Sequence, residues 1–417
     1  LGKGYIAVVR GVPDIAFFTF FVIALALPLL LLAAVEGALR LADVAPRQPL
    51  FIQNPQHPEF SLANPRVIER FFSRPEAAPK VSVETGFFRT RRNPDAFRVV
   101  TMGGSSAAGF PYGYGASLAG MLEQRLRRTF PEREIEVITT AMSAINSYSL
   151  LDFVDEIIAL GPDAVLIYAG HNEFVGVLGV GSAFTSSRSP ALTRLILRLR
   201  EFALYRSLES LLAPEPPPAD DAADDGTLMA RVAAERRIAS GSPLFERGRE
   251  QFRSNLDTLL ARYAAAGIPV FIGTLASNER DQPPFVSARD EDPAWLSSIE
   301  RGQALLAQAR AGETEALARS LVAQDPGDAA AQFLLGRALL AAARPGDALG
   351  AFRRARDEDQ LRFRAPSQFN DVIRALAEER EATLVDVEAA LRRQSRYGLI
   401  GDDLMTEYFR LVFTGQM

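Results

Sequence analysis

Phe97-Arg98-Val99-Val100-Thr101-Met102-Gly103-Gly104-Ser105-Ser106 is the stretch that decides the fold. Residues 97–102 form a short apolar, β-branched run of the kind found in buried parallel strands. The run stops at two glycines, and a helical pattern begins near Ala116. A strand that passes through glycine into a small-residue loop before a helix places Ser105 at the carboxyl edge of a sheet. Open α/β folds bind their ligands at that edge, so Ser105 is the first candidate functional residue.

A second polar loop supports this interpretation. Tyr168-Ala169-Gly170-His171-Asn172 follows another buried-strand run at 163–168. Taken alone, Gly-Gly-Ser-Ser is more typical of a tight turn that needs small residues only for packing. Polar loops at the same ends of two parallel strands can face one another, however, and together they favour a functional site.

At these two loops the chain resembles the SGNH (GDSL-like) hydrolase family. In that family Gly-Asp-Ser after the first strand carries the nucleophile, and Gly-x-Asn after the third strand supplies an oxyanion donor. Residues 103–106 and 170–172 take those places here. The resemblance covers roughly residues 93–185 and 244–417, and it is strongest to bacterial membrane-anchored members that also carry tetratricopeptide repeats.

The pattern along the chain predicts an α/β domain with a doubly wound, parallel, five-stranded sheet, which the resemblance makes a flavodoxin-like SGNH fold. The predicted strands are 97–102, 134–139, 163–168, 268–274 and 382–387. The predicted helices between them include 118–129, 147–160 and 245–266.

Composition excludes several kinds of site. Lys and Arg number 46 against 51 for Asp and Glu, a formal charge of -5, which argues against a nucleic-acid-binding surface. The chain has no cysteine, and therefore no disulfide, thiolate metal site or cysteine nucleophile. It has only two histidines, His57 and His171. Neither a phosphate-binding glycine loop nor a metal-ligand pattern is present, and we expect no cofactor and no metal.

The N-terminal segment, 1–43, contains a predicted transmembrane helix at 15–35. No charged residue lies between Ile15 and Val35, and about 20 apolar residues suffice to cross a bilayer. A buried core helix and a cleaved signal peptide are the alternatives, but the polar stripe of the first is missing and the run is long for the second. Lys3 and Arg10 precede the helix, which predicts a cytoplasmic N-terminus and a periplasmic main domain on a bacterial inner membrane.

The remaining domain boundaries follow from composition. Residues 44–92 are rich in Pro, Asn and Arg without sustained periodicity, so we interpret them as an extended tether that lies along the globular domain and in which His57 is a surface residue. The SGNH-like α/β domain is assigned to 93–298 and 361–417. An insertion at 186–243 interrupts it, and its Pro- and Asp-rich part, 213–226, is interpreted as a flexible loop.

Two helical segments offer contact surfaces. Residues 191–212 carry an apolar stripe flanked by arginines, predicting a helix that packs on the domain or lies on a membrane or partner. Residues 299–360 match the spacing of a tetratricopeptide repeat, with helix–turn–helix packing as the alternative. One or two repeats have too little core to stand alone, so this insertion must dock on the α/β domain or on another protein.

The catalytic base is missing where the resemblance requires it. The family's acid-x-x-His motif near the C-terminus corresponds to Glu407 and Arg410, so arginine stands at the position of histidine. Arginine stays protonated and cannot accept a serine proton. Gly104 also replaces the family's Asp. By resemblance, the Ser105 N–H, Asn172 and Asn146 remain as oxyanion donors, and His171 is the one other candidate base.

These residues lead to one main hypothesis and two alternatives. The first is a catalytically degenerate, membrane-anchored protein that serves as a docking subunit of a bacterial membrane complex. Its predicted partners are the bilayer through 15–35 and other membrane-protein subunits through the repeat-like insertion and 191–212. The alternatives are an active esterase or acyltransferase acting on envelope glycans or lipids through Ser105, and a repeat-based peptide receptor.

Overall fold

The computed structural model describes residues 12–79, 83, 86–182, 189–213, 237–406 and 410–411. In chain order the strands are β1 (Phe51–Gln53), β2 (Phe60–Ala63), β3 (Phe88–Arg89), β4 (Phe97–Gly103), β5 (Ile135–Thr139), β6 (Ala164–Tyr168), β7 (Val270–Gly273), β8 (Thr383–Val385), β9 (Met405–Thr406) and β10 (Arg410–Leu411). The helices are α1 (Val12–Leu41), α2 (Ser105–Ala108), α3 (Leu118–Thr129), α4 (Ser147–Ala159), α5 (Pro190–Leu199), α6 (Ala203–Leu212), α7 (Pro243–Ala265), α8 (Pro293–Ala307), α9 (Ala311–Gln324), α10 (Ala329–Ala341), α11 (Pro345–Glu358), α12 (Ser367–Glu379) and α13 (Val387–Gln394).

The five predicted strands are confirmed as one parallel sheet in the order β5-β4-β6-β7-β8. Numbered along the chain this order is 2-1-3-4-5, the flavodoxin-like doubly wound arrangement. It brings the loops after β4, β5 and β6 together at the carboxyl edge of the sheet, because the strand order reverses at β4.

Alternating side chains of β4 divide the core between two faces of the sheet. Val100 and Met102 belong to the main core, to which α4, α7 and α12 also contribute. Val99 belongs to a smaller cluster with Ala119 of α3. Buried apolar runs of this kind are expected for a parallel strand covered on both faces.

The described residues of the segment 44–92 lie along the α/β domain and include three short strands. Strands β1, β2 and β3 form an antiparallel sheet, and Val67, Ile68 and Phe71 enter the main core. The buried Arg70 side chain bonds Asp152 at 2.9 Å and Glu156 at 2.6 Å, both on α4. Strands of two to four residues are too short to show a period in the sequence, which is why the prediction missed them. His57 is exposed, as expected.

Helix α1 is longer than the predicted 15–35. Its stretch Phe18–Leu41 is apolar and long enough to cross a membrane, and none of its most apolar window is buried against the rest of the protein. Pro28 lies inside the helix.

The prediction of a single helix over 191–212 is wrong, because the helix is interrupted between α5 and α6. The Arg200 guanidinium turns back onto Glu209 at 2.7 Å, and the α6 N-terminus is capped by Glu36 of α1. Helix α5 packs on the α/β domain, where Arg194 donates to Asn255 of α7 at 3.0 Å. Of the acidic loop predicted at 213–226, residues 214–226 lie outside the described part of the chain.

Four consecutive helices, α8 to α11, occupy the region of the predicted repeat and begin at Pro293 rather than 299. Small residues allow close helix packing, since a Cβ at Gly302 would lie 2.4 Å from Leu334 and one at Gly336 would lie 2.8 Å from Phe352. Assignment to the tetratricopeptide repeats stays a prediction. The helices dock on the α/β domain through a buried ion pair between Arg356 of α11 and Glu279, which follows β7.

Candidate functional site

Ser105 opens α2 directly after β4. Its side chain is half-buried, and α2 ends at Gly109 with a left-handed φ of 74°. The glycine before the loop is required sterically, because a Cβ at Gly103 would lie 2.2 Å from the carbonyl oxygen of Tyr168. Strand β4 and the end of β6 therefore approach closely, and Ser105 lies at the carboxyl edge where the sequence predicts it.

Asn172 lies beside the serine loop. Its Nδ2 donates to the Ile145 carbonyl at 3.0 Å, and a Cβ at Gly104 would lie 2.9 Å from the same Nδ2. The loops after β4, β5 and β6 thus converge around this amide. The family's oxyanion-donor position is therefore next to the residue that precedes Ser105.

Gly104→Ala is expected to lower the free energy of unfolding by about 1–3 kcal/mol, the range typical of overpacking. The new methyl group collides with Asn172 Nδ2, which is held by its bond to Ile145. Gly115→Ala is the control, since nothing lies within 4 Å of its Cβ position. Urea denaturation of both variants measures the difference, and equal stability would contradict the close contact.

Asn146 caps α4 at the same edge. Its Oδ1 accepts the Tyr148 N–H at 3.1 Å. Its Nδ2 is buried and has no hydrogen-bond partner among the described residues. Asn146 therefore keeps an amide donor in the region where the family resemblance places the oxyanion.

His171 is directed away from a role as base. It is buried, and its Nδ1 accepts the backbone N–H of Ala365 at 3.1 Å. Burial, together with the charges of Arg356 and Arg364, lowers the pKa of His171 to about 3. Among the described residues the Ser105 hydroxyl forms no hydrogen bond with it. The imidazole is neutral at pH 7 but a very weak base.

No family model matches the chain, and no curated protein matches it. Among solved structures it is similar to AlinE4, an SGNH-hydrolase family esterase, at 14% identity over 44% of this chain and 60% of that one with a TM-score of 0.23. It is also similar to the acetyl xylan esterase AlAXEase, at 11% identity over 76% and 91% with a TM-score of 0.34. A catalytic mutant of Axe2, an acetylxylan esterase from Geobacillus stearothermophilus, matches at 12% identity over 71% and 78% with a TM-score of 0.29.

The decisive observation is within the chain itself. Ser105 follows the first strand of a 2-1-3-4-5 parallel sheet, and Asn172, after the third, lies against the serine loop. The fold is SGNH-like. In this SGNH-like domain the sheet and the serine–asparagine edge agree with the resemblance, while Nδ1 of His171 accepts a backbone N–H from Ala365.

Glu173 is a site residue that the sequence analysis missed. Its fully buried carboxylate accepts the Ser147 N–H at 3.0 Å, the Ser147 hydroxyl at 2.7 Å and Gln251 Nε2 at 2.6 Å. Burial raises the pKa of Glu173 to about 7, although these hydrogen bonds act in the opposite direction. The network ties the Asn172 loop to α4 and α7. In the sequence Glu173 looks like any acidic loop residue, and only the apolar Phe174-Val175 after it signals burial.

Of the two C-terminal candidates, Glu407 and Arg410, the structure describes only the backbone of Arg410. Glu407 lies outside the described residues. The backbone of Arg410 pairs with Thr406 in the small β9–β10 sheet. Within the described ranges no group of three or more His, Asp or Glu side chains is arranged to hold a metal ion.

An apolar cavity of about 130 Å³ lies on the other side of the serine loop. Ser106 lines it, together with apolar residues of α3, β6, β7 and β8, including Met121, Leu166, Phe271 and Val385. Strand β8 is exposed along its whole length.

Proposed function

We propose that the chain is a membrane-anchored, SGNH-like protein that does not hydrolyse esters and serves as a docking subunit of a bacterial membrane complex. The observation that carries the proposal is the environment of His171. Its Nδ1 already accepts the Ala365 N–H, and its pKa is about 3.

A serine hydroxyl becomes a useful nucleophile when a neighbouring base removes its proton, and in serine hydrolases that base is usually histidine. The pKa of an efficient base lies near the working pH. His171 is far below that range, His57 is an exposed loop residue, and the arginine at position 410 stays protonated.

The docking role is supported by two further parts of the chain, helix α1 and the helices α8 to α11. Helix α1 would hold the chain in the bacterial inner membrane with a cytoplasmic N-terminus and a periplasmic main domain, as Lys3 and Arg10 favour. Helices α8 to α11 form a separate helical surface joined to the α/β domain by the Arg356–Glu279 pair. Subunit contacts through these helices are part of the proposal.

A second candidate function is an esterase or acyltransferase. It is favoured by one specific observation, the retention of Asn172 beside the serine loop with the buried amide of Asn146 at the same edge. Such donors stabilise the oxyanion of an acyl-transfer transition state. An esterase also requires a base.

Covalent labelling separates the two functions. The purified full chain in detergent is expected to react with a fluorophosphonate probe no faster than its Ser105→Ala variant, and to show no hydrolysis of p-nitrophenyl acetate above that variant. Ser106→Ala is the matched control, because Ser106 is the adjacent serine of the same short helix. Rapid labelling that Ser105→Ala abolishes and Ser106→Ala preserves would overturn the inactive-site proposal.

The proposed role as a docking subunit is tested by a separate measurement. Extracted from native membranes in mild detergent, the chain is expected to migrate on a native gel as part of an assembly larger than its 45.5 kDa mass and one detergent micelle. Migration as a lone monomer would contradict a subunit role.

A further inference from the structure

Helices α5 and α6 lie at the end of the transmembrane helix. The Glu36 carboxylate of α1 accepts the backbone N–H groups of Ala203 and Leu204 at 3.0 and 2.9 Å. Arg40 of α1 donates to the Glu201 carbonyl at 3.0 Å, and Arg206 of α6 donates to the Ala45 carbonyl at 2.7 Å. These bonds from both directions fix α6 relative to α1.

The position of Glu36 sets the depth of this contact. It is the first charged residue after the apolar run 15–35. At about 1.5 Å per residue such a run spans about 30 Å, the thickness of the hydrocarbon layer. Glu36, and with it the N-terminus of α6, therefore lies at the level of the lipid headgroups when α1 spans a bilayer.

Apolar side chains project from α5, α6 and their junction without cover from the described residues. Leu208, Leu211 and Leu212 share one face of α6 by their spacing of three and four, and the last two are 77% and 81% exposed. Three further apolar side chains are about half exposed: Leu192, Leu195 and Phe202. The other sides of the two helices contact the protein. Ala203 of α6 is buried, and the Arg194 side chain of α5 donates a hydrogen bond to α7.

Positive charge accompanies this apolar face. Arg206 donates only to the carbonyls of Ala45 and Arg200 and has no ion pair among the described residues. Burial and the neighbouring charges of Arg40 and Arg47 lower the pKa of Arg206, although Glu36 acts in the opposite direction. Apolar side chains bordered by arginines are the composition of helices that lie in a membrane interface.

We propose that α5 and α6 form a membrane-interface element that rests on the bilayer around the exit of α1. The leucines of α6 enter the boundary between headgroups and acyl chains, and Arg206 faces the lipid phosphates. The bilayer is favoured over a protein partner because Glu36 fixes α6 at headgroup depth. The element orients the α/β domain on the membrane, and it does so whether Ser105 is active or inert.

Because the chain has no cysteine, a single introduced cysteine is the only site at which a thiol-reactive probe attaches. Leu211→Cys is labelled with the environment-sensitive fluorophore NBD in the full chain and reconstituted into vesicles of phosphatidylcholine and phosphatidylglycerol at three to one. Leu296→Cys on α8 is the matched control, because Leu296 is also an exposed leucine on a helix, at 39% exposure. Both positions are exposed, so neither substitution disturbs packing.

The label at position 211 is expected to emit at shorter wavelength than the label at 296, and spin-labelled lipids are expected to quench it at least twofold more. Equal quenching at the two positions would overturn the proposal. A label at 211 that stays unquenched in these vesicles but becomes protected when a native membrane extract is added would also overturn it, in favour of a protein partner.

Discussion

Glu279→Ala is expected to lower the free energy of unfolding by about 3 kcal/mol, the lower end of the range for breaking a buried ion pair. Glu279 is fully buried and accepts from Arg356 of α11 and from Arg392 of α13, the latter at 2.8 Å. Without this carboxylate two guanidinium groups face one another inside the protein. The loss stays at the lower end because Asp357 and Glu388 still neutralise them.

The double variant Glu279→Met, Arg356→Met is expected to be more stable than Glu279→Ala. Removing both partners removes the Arg356 guanidinium that Glu279→Ala leaves without this carboxylate, and apolar replacements of buried ion pairs are often neutral. Glu313→Ala serves as the control, since the Arg310–Glu313 pair is exposed and its removal should cause no measurable change.

The readout for these variants uses the single tryptophan of the chain. Trp295 is buried in α8 with the Arg289 guanidinium 4.1 Å from its ring, so its fluorescence reports on the helical insertion, whereas far-UV circular dichroism reports on the whole protein. In urea, Glu279→Ala is expected to shift the fluorescence transition to lower concentration. An unchanged midpoint in both signals would contradict the role of the ion pair in joining insertion and sheet.

Phe369→Ala is expected to lower the free energy of unfolding by about 3–5 kcal/mol, the cost of emptying a phenylalanine site in a core. The Phe369 ring is fully buried and stacks on two other rings. Its centroid lies 4.5 Å from that of Phe252 and 5.3 Å from that of Phe174. This cluster also supports the site, because a Cβ at Gly170 would lie 3.4–3.5 Å from Phe252 and Phe369. The cavity therefore forms directly beneath the Asn172 loop.

Chemical denaturation measures the stability loss, with Phe87→Ala as control because Phe87 is 62% exposed and its truncation should have little effect. The local consequence is checked by amide hydrogen exchange of residues 170–177, which is expected to accelerate in Phe369→Ala and to remain unchanged in Phe87→Ala. A loss below about 1 kcal/mol would show that the aromatic stack does not carry the core at this point.

The sequence predicted the sheet well because its signals are local. Each strand is a short β-branched run followed by glycine or a polar loop, and each helix between strands has a continuous apolar face. Ser105 and Asn172 were found for the same reason, since both follow such runs directly. The flavodoxin-like arrangement of those strands was expected from the family resemblance and not from any local pattern.

Other features depend on contacts between distant parts of the chain. The described residues of 44–92 are held on α4 by ion pairs between Arg70 and two carboxylates that lie far away in the sequence. The break between α5 and α6 depends on Glu36 of α1. No local pattern contains these partners.

The amino-acid sequence by itself determined the parallel α/β sheet, the long apolar N-terminal helix and the serine at the sheet edge, because each of the three depends on a short continuous run of side chains. By the family resemblance it also predicted that arginine stands at the position of the histidine, at residue 410. Only the tertiary structure decided the state of His171, because its low pKa and its bond to Ala365 arise from burial and from charges nearly 200 positions away. A loop histidine in the sequence is a candidate base, and the folded chain removes it from that role by desolvation.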